Sequence, residues 1–471
     1  SSFVWQLLQR VLTQLISFCV SVVLARMLAP EDFGVVALAG MLIILIGSFI
    51  DTGIGTALIQ KKDADELDYN TVFYTNIALS STVYVVIFLI APILGSLFNS
   101  PQIVPVIRVM SLGMPIGALS GVHSSKISKD LAFKKFFFST LSGSLLSAVV
   151  GLSMVLLGCG VWALVGQNLV STIANTIVLL VIVRWRPKRM FSKERFKSLF
   201  SYGWKLTASN LIGTFFSQLK GYAIGLKYTT ADLAYYNRGE GVPGILYNNI
   251  SSSINTVLFP ALSKLQDDKI AIRRALSKTM QTASFVLMPG LLGLAAVSDN
   301  FVQIVYTSKW IAVVPFMQVI CLMNCFDLLG AANIQALKAV GRADTLLKLE
   351  VYKKPLMVTI LVICMFISPL AIAIGQFFYS LIALAINAYP NRKYIDYPLK
   401  DQFLDISKSF FSAVVMSLIV YLLGKLSFNI YLVLILQIFV GILVYVLLSM
   451  RFNKVVFHEV LALLKHRVLK K

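Results

Sequence analysis

Charged side chains are scarce in this sequence, and acidic ones are scarcer still. Of the 471 residues, 13% are charged and 58% are hydrophobic, so too little polar surface remains to cover a soluble globule. The 21 acidic residues face 42 Lys and Arg, which gives a net charge of +21. In a soluble protein this excess would indicate a nucleic-acid partner. Here the composition excludes that class and predicts an all-α polytopic membrane protein.

Cysteine and histidine are also rare. An odd number of cysteines in or beside apolar stretches builds no disulfide framework. Cys321 and Cys325 lie one helical turn apart without a nearby His, so we predict packing thiols, no metal site and no cofactor. The five cysteines are Cys19, Cys159, Cys321, Cys325 and Cys364, and the three histidines are His123, His458 and His466.

Long apolar stretches fill most of the chain. We expect no cleavable signal peptide, and because the sequence opens at Ser1 without Met, we expect a few leading residues to be missing. Fourteen stretches are long enough for the about 20 helical residues that cross a bilayer. They are 4–28, 33–59, 70–97, 103–124, 137–157, 161–183, 201–226, 231–262, 279–297, 311–337, 346–367, 369–389, 405–424 and 429–450.

Lysine and arginine fall almost entirely on one side of these spans. With a cytoplasmic N-terminus, the inward loops and the tail hold 31 of them, and the outward loops hold only 3. The positive-inside rule therefore places both termini in the cytoplasm. The longest basic stretch, "RWRPKRMFSKERFKSLF" (184–200), fits either an interfacial helix against anionic lipid or a solvated linker between two halves.

The two halves of the chain share three motifs. "PEDFG" at 30–34 resembles "TTADLAYYNRGEG" at 229–241, "ALIQKKDAD" resembles "ALSKLQDDK", and "VPVIRVM" resembles "VPFMQVI". Two copies of six spans follow, related by a pseudo-two-fold axis along the membrane normal, with two further helices. The predicted domains are an N-terminal lobe (1–184), a basic linker (185–200), a C-terminal lobe (201–392), two additional helices (393–450) and a basic tail (451–471).

The acidic residues of the repeat are predicted to cap helices. Pro30 suits the first helical position, and Asp32 adds negative charge at the positive end of the helix. Thr229 and Asp232 form a capping pair in the second copy. We therefore interpret both aspartates as structural.

Eight cations remain inside the predicted spans, where charge is costly and marks functional candidates. At 1.5 Å per residue, they form two tiers, each within roughly 10 Å of one membrane surface. Snorkelling to the headgroups is the alternative that we favour for Arg26 and Lys205. The outer tier holds Arg26, Arg108, Lys220 and Arg238, and the inner tier holds Arg10, Lys205, Lys353 and Lys354.

Polar residues repeat at helical spacing on four spans, which predicts a hydrated internal cavity. The alternative is hydrogen bonding between helices. The stripes are Gln6, Arg10, Thr13, Ser17 and Ser21; Asn210, Thr214, Ser217 and Lys220; Asn237, Glu240, Gly244, Asn248, Ser251 and Asn255; and Asn324, Asp327, Ala331 and Gln335.

A mainly cationic cavity favours an anionic ligand. Phosphate or pyrophosphate suits arginine best, because its guanidinium group can bind two oxygens at once. The intramembrane acids are either ion-pair partners, which we favour, or sites that exchange Na⁺ or H⁺. These acids are Asp51, Glu240, Asp327 and Glu350.

Three segments resemble a known family. "LARMLAPEDFGVVALAG", "TGIGTALIQKKDADELDYNTVFYTNI" and "VLFPALSKLQDD" are similar to signature segments of polysaccharide-transporter proteins, the Wzx-type flippases of the multidrug/oligosaccharidyl-lipid/polysaccharide (MOP) exporter superfamily. The subgroup most similar is the colanic-acid and teichuronic-acid exporters. "YYNRGEG" departs from this pattern by placing Gly-Glu after the arginine.

The resemblance implies a V-shaped transporter in the bacterial inner membrane. It would move undecaprenyl-pyrophosphate-linked repeat units from the inner to the outer leaflet by alternating access, and the products would pass to polymerase and export machinery. By depth and face, its cationic cavity corresponds here to Arg10, Arg108, Lys220, Arg238 and Lys353, with Asn210 and Asn248 as polar lining.

Two other functional classes compete with this interpretation. A membrane glycan polymerase or transferase usually needs a large outer loop, and no outer loop here exceeds about 15 residues. The histidines are scattered as well, so we do not expect an enzyme. A cation-coupled exporter of a drug or small metabolite is the stronger alternative, and an acidic cavity would distinguish it.

Overall fold

The structure, a computed structural model, describes residues 2–49, 53–266 and 268–468. In these ranges the ordered elements are seventeen α-helices and a short 3₁₀ helix at Ser308–Trp310. The α-helices are α1 (Ser2–Met27), α2 (Pro30–Gly47), α3 (Ile54–Gln60), α4 (Glu66–Leu97), α5 (Ile103–Met110), α6 (Gly113–Lys129), α7 (Phe133–Leu156), α8 (Val161–Ile182), α9 (Lys193–Lys227), α10 (Thr230–Ser263), α11 (Lys269–Val305), α12 (Val313–Ala339), α13 (Ala343–Cys364), α14 (Pro369–Ile395), α15 (Leu399–Leu423), α16 (Ile430–Phe452) and α17 (Lys454–Val468).

Eleven of the described segments are long and apolar enough to cross a membrane, by length and composition alone. The prediction of an all-α multi-pass membrane protein is confirmed at this level. The remaining long helices, α9, α10 and α13, overlap predicted spans but fall outside this apolar set. They carry several of the charged and polar residues singled out above.

Helices are interrupted within two of the predicted spans. The span 33–59 contains two helices, α2 and α3. At the end of α2, the Ser48 N–H and hydroxyl donate hydrogen bonds to the last carbonyl groups of the helix, and the hydroxyl lies 2.5 Å from Leu45 O. Asp51 falls between the two helices, outside the described residues. The span 103–124 contains a turn over Ser111 and Leu112 that separates α5 from α6. The segment Ile103–Lys129 is still one of the eleven that are long and apolar enough to cross a membrane, so this predicted span is confirmed at that level.

Two segments extend beyond the sequence prediction. The second half of the basic stretch is continuous with the following span, so α9 runs unbroken through 35 residues. The basic tail, for which no element was predicted, contains the 15-residue helix α17.

The acidic residues of the repeat cap their helices, as predicted. Asp32 accepts a hydrogen bond from the Ala29 N–H at 3.3 Å at the start of α2. At the start of α10, Thr229 and Asp232 each accept the other's backbone N–H at 3.1 Å. Each cap satisfies an N–H group that the helix itself leaves unpaired.

Two compact units form the chain, Ser1–Ala234 and Tyr235–Lys471. In the first unit, α1, α7 and α8 enclose a core that includes Leu24 and Ala163. In the second, α11 packs against α12 and α15 and buries Leu291 completely. The lobe boundaries proposed from the repeat stay a prediction.

The basic stretch is docked on α4 before it becomes helical. The Lys188 N–H donates to Asn70 Oδ1 at 2.5 Å, and the Ser192 N–H donates to Thr71 Oγ1 at 3.2 Å. Trp185 lies in the core with its indole N–H directed at Glu66, 3.3 Å away. The stretch is therefore a structured connection within the first unit.

An ionic cluster strengthens this connection. The Asp68 side chain is completely buried, and Lys61 Nζ lies 2.5 Å from Oδ2. Arg195 lies 3.6 Å from the other oxygen of Asp68 and 3.2 Å from Asp65. The pKa of Asp65 is lowered, first by the hydrogen bond that its carboxylate accepts from the Asp68 backbone N–H. We call Lys61, Asp65, Asp68 and Arg195 the linker cluster.

Candidate polar transport site

A polar recess lies between α2 and α9 in the first unit. Its volume is about 630 Å³, within the range of small-molecule sites. Neutral hydroxyl and amide groups supply its polar lining. The lining residues are Ile44, Gly47, Ser48, Ser209, Asn210, Gly213, Thr214 and Ser217.

The predicted stripe on α9 forms one wall of this recess. Asn210, Thr214 and Ser217 all line it, and Asn210 is exposed. The Ser217 hydroxyl donates to the Thr214 carbonyl at 2.8 Å, so its oxygen can still accept a hydrogen bond from a ligand. Lys220 is partly buried at the next helical position of the stripe.

Close packing holds α2 and α9 together beside the recess. The Tyr222 hydroxyl donates to the Met41 carbonyl at 2.9 Å. A Cβ atom at Gly221 would lie 2.5 Å from Met41 Sδ, and one at Gly225 would lie 2.9 Å from Leu38 Cδ1. A larger residue at either position would force the Met41 or Leu38 side chain to shift, so the two glycines favour close packing of α2 against α9.

Ser48 and Ser209 belong to the recess, although sequence analysis missed them. Ser48 caps the C-terminus of α2, where the sequence predicted an uninterrupted span. Ser209 lies beside Asn210, off the three- and four-residue spacing. The sequence Gly47-Ser48 could have predicted this helix end, since glycine and serine together favour the end of a helix.

Arg10 and Asn248 are both exposed on their helices, α1 and α10. Arg10 makes no ion pair with any residue that the structure describes. Arg10 belongs to the first compact unit and Asn248 to the second, so each is located only by the surface of its own helix.

Two other predicted arginines pack on aromatic rings. The Arg108 guanidinium lies 4.2 Å from the Phe88 ring centroid, and its Nε donates to the Phe88 carbonyl at 3.1 Å. Arg238 lies 5.4 Å from the Tyr306 ring and 5.5 Å from the Trp310 ring. These cation–π contacts hold both guanidinium groups against neighbouring elements of their own unit.

Lys353 and Glu350 form an ion pair on α13. Their charged atoms are 2.5 Å apart, and the Lys353 side chain is 7% exposed. Lys354 reaches the other oxygen of Glu350 at 3.6 Å. This geometry matches the ion-pair interpretation of Glu350.

Asp327 lies in a polar patch of the second unit. It accepts a hydrogen bond from the Ser380 hydroxyl, and Tyr247 and Tyr379 are close enough to interact with it electrostatically. The patch joins α10, α12 and α14. Glu240 is partly buried nearer the start of α10.

Part of the predicted lining instead connects helices. Gln335 on α12 donates to Asn255 on α10 at 2.8 Å, as expected for hydrogen bonding between helices. In the same unit, Asp405 on α15 accepts hydrogen bonds from Ser277 at 2.6 Å and Gln281 at 2.8 Å, both on α11. The spacing of polar residues in the sequence did not predict these hydrogen bonds of Asp405.

The buried thiols Cys321 and Cys325 are free. Across residues 2–49, 53–266 and 268–468, no group of three or more His, Cys, Asp or Glu is arranged to hold a metal ion. The recess itself offers hydroxyl and amide groups, which can recognise a ligand through hydrogen bonds.

Comparison with known proteins identifies the family. The polysaccharide biosynthesis protein family matches residues 23–315, well over half of the chain. The chain belongs to this family. The resemblance noted in the sequence to polysaccharide-transporter proteins is thereby confirmed at the level of this family.

Curated proteins from several bacteria are similar to this chain over most of their own length. Lipopolysaccharide biosynthesis protein WzxC of Escherichia coli is 26% identical over 72% of this chain and 70% of its own. Succinoglycan biosynthesis transport protein ExoT of Rhizobium meliloti is 25% identical over 73% and 69%. Teichuronic acid biosynthesis protein TuaB of Bacillus subtilis is 25% identical over 63% and 62%.

Solved structures show the fold of this family member. The lipid II flippase MurJ in an inward closed conformation matches with a TM-score of 0.76 at 15% identity, covering 96% of this chain and all of that one. An inward-facing multidrug resistance transporter of the MOP superfamily matches with a TM-score of 0.63 at 16% identity, covering 82% and 94%. The chain thus has the fold of these transporters.

Proposed function

We propose that this protein is a flippase that moves undecaprenyl-pyrophosphate-linked oligosaccharide repeat units from the inner to the outer leaflet by alternating access. The observation that carries the proposal is the recess of Asn210, Thr214 and Ser217 on a helix that overlaps a predicted span. A glycan headgroup must cross about 30 Å of hydrocarbon. Hydroxyl and amide groups replace part of the water that its sugars lose on the way.

The architecture proposed for this cycle has fourteen transmembrane helices in two six-helix lobes, plus two additional helices, with both termini in the bacterial cytoplasm. The names of the relatives support the substrate class, since they belong to polysaccharide biosynthesis and transport. In the proposed cycle, the product in the outer leaflet is consumed by polymerase and export machinery.

Positive charge in the first unit would hold the pyrophosphate. Arg10 presents an exposed guanidinium group from α1, and Lys220 continues the recess stripe on α9. Arg108, Arg238 and Lys353 are held by the contacts described above, and we assign them a longer-range electrostatic contribution within their units. Asn248 would supply a further amide contact from α10.

Cation exchange would reset the cycle, and Asp327 is the acid we assign to it. Its carboxylate lies among hydroxyl groups, whereas Glu350 is already neutralised by two lysines. Exchange of Na⁺ or H⁺ at Asp327 would change the charge of a patch that joins three helices.

Reconstituted transport tests the proposal. We would measure how much of a fluorescent undecaprenyl-pyrophosphate glycan becomes accessible in the opposite leaflet of proteoliposomes, for wild type and for Arg10→Ala and Lys220→Ala. We expect each variant to lose transbilayer movement at least about tenfold, since a charge-assisted contact contributes about 1.5–3 kcal/mol. Lys62→Ala is the matched control, because Lys62 is exposed outside the predicted spans.

Three outcomes separate the alternatives. Movement that is indifferent to both variants would overturn the anion-guided mechanism. Transport of a small cationic drug in place of the glycan would identify the exporter instead. Retained glycan movement in Asp327→Asn with an unchanged response to Na⁺ and pH gradients would exclude Asp327 as the coupling acid.

A further inference from the structure

A second recess in the first unit is lined by different residues and has a different character. It lies at the N-terminal end of α7, with a volume of about 520 Å³. Trp5, Phe133 and Phe138 give it an aromatic wall, and Lys134 and Lys135 give it positive charge. The proposed transport mechanism uses none of these residues.

The aromatic wall and one lysine are held in fixed positions. The Trp5 ring packs against Phe137 with centroids 5.1 Å apart. The Lys134 ammonium lies 5.4 Å from the Trp5 ring and 6.0 Å from the Phe138 ring. In the described part of the chain, neither Lys134 nor Lys135 forms an ion pair, so both charges are available to an anion.

The start of α7 adds to the positive potential. Its N-cap residue, Ala132, has no side-chain oxygen, and no side-chain cap hydrogen bond is made there. The first N–H groups of a helix carry partial positive charge. Here the Lys135 N–H donates to the Ala132 carbonyl at 2.9 Å, so the contribution comes from the N–H groups before it. Ala132 and Phe133 line the recess, so this helix end and the two lysines face the same space.

The rim of the recess is apolar. Leu131 is 62% exposed and lines the recess beside the lysines. Tryptophan and lysine together are typical of the boundary between headgroups and acyl chains, where an amphipathic ring and a cation both find partners. The recess thus offers positive charge and exposed apolar surface to one amphipathic anion.

We propose that this recess binds the phosphate headgroup of an anionic phospholipid from the inner leaflet. The headgroup contacts Lys134, Lys135 and the start of α7, while the acyl chains lie against Leu131 and the aromatic wall. The assignment to the inner leaflet rests on the proposed orientation, which places the loop before α7 on the cytoplasmic side. The site is separate from the glycan recess and would hold a resident lipid.

Native mass spectrometry of the delipidated full-length protein tests this site. The protein is titrated with phosphatidylglycerol, with phosphatidylethanolamine or with inorganic phosphate. We expect wild type to retain phosphatidylglycerol in preference to phosphatidylethanolamine. The double variant Lys134→Gln/Lys135→Gln should lose roughly 25-fold in phosphatidylglycerol affinity, about fivefold for each lysine.

Two further variants test whether the loss of affinity comes from the charges in this recess. Lys134→Arg/Lys135→Arg keeps both charges and should keep the lipid. Lys193→Gln/Lys197→Gln removes two exposed cations at the start of α9 and should bind as wild type does. Equal phosphatidylglycerol affinity in wild type and in Lys134→Gln/Lys135→Gln would overturn the proposal. Displacement of the lipid by equimolar inorganic phosphate would show that the ligand is free phosphate, which also overturns it.

Discussion

Lys61 places its ammonium group 2.5 Å from the carboxylate of Asp68, which is completely buried. The pair joins the end of α3 to the first turn of α4, and Arg195 brings the start of α9 to the same carboxylate. A buried charge is costly unless it is paired. The linker cluster therefore holds three helices of the first unit together.

Asp68→Ala should destabilise the protein by about 1–2 kcal/mol, because it removes the shared partner of Lys61 and Arg195 and the cap that Asp68 gives the Asp65 N–H. The thermal unfolding midpoint of the purified protein in detergent measures this effect. Asp63→Ala is the matched control, since Asp63 is an exposed acid in the same loop. A similar midpoint for both variants would show that the cluster contributes little.

Gly34→Ala should be strongly destabilising. A Cβ atom at this position would lie 1.8 Å from the Thr230 carbonyl oxygen, so α2 or the start of α10 would have to move. We expect a loss of about 1–3 kcal/mol in thermal unfolding experiments. Gly40→Ala on the same helix meets no atom within 4 Å and should instead stabilise α2 by about 0.5–1 kcal/mol.

Thr214→Val tests whether the recess contacts the substrate. The change keeps the shape of the side chain but removes its hydroxyl, so glycan movement should fall about fivefold through one lost hydrogen bond. Thr82→Val, an exposed threonine on α4, provides the control and should transport normally. Equal rates in all three proteins, with equal expression and folding, would place the glycan elsewhere.

Glu350→Gln should destabilise α13, because it leaves the buried Lys353 ammonium without its carboxylate. Breaking a buried pair costs about 3 kcal/mol, whereas replacing both partners is often neutral. The double variant Glu350→Gln/Lys353→Met should therefore recover most of the loss. A double-mutant cycle of unfolding free energies measures the coupling, and strictly additive losses would contradict a direct interaction.

Local features of the fold were predictable from the sequence. The stretch 161–183 matches α8 at Val161–Ile182, because Gly160 and Arg184 mark its ends. The caps at Asp32 and Asp232 were predictable for the same reason, since a cap depends on residues within three positions of each other. Helical spacing also placed Asn210, Thr214 and Ser217 on one surface.

Contacts between distant segments were not predictable. Spacing puts Arg238 on a face of α10, but it does not reveal that Tyr306 and Trp310 pack there. The same holds for Gln335 and Asn255, which lie on predicted cavity stripes yet bond to each other. Periodicity identifies which residues share a face, whereas tertiary packing decides what that face touches.

The unbroken course of α9 has a mechanical consequence. Its 35 residues span about 52 Å, more than the hydrocarbon thickness of a bilayer. The recess lies partway along α9, and the docked basic stretch is attached at its first turn. If a ligand in the recess tilted α9, its two ends would move in opposite directions. The pivot would lie near Gly221 and Gly225, where α9 packs against α2.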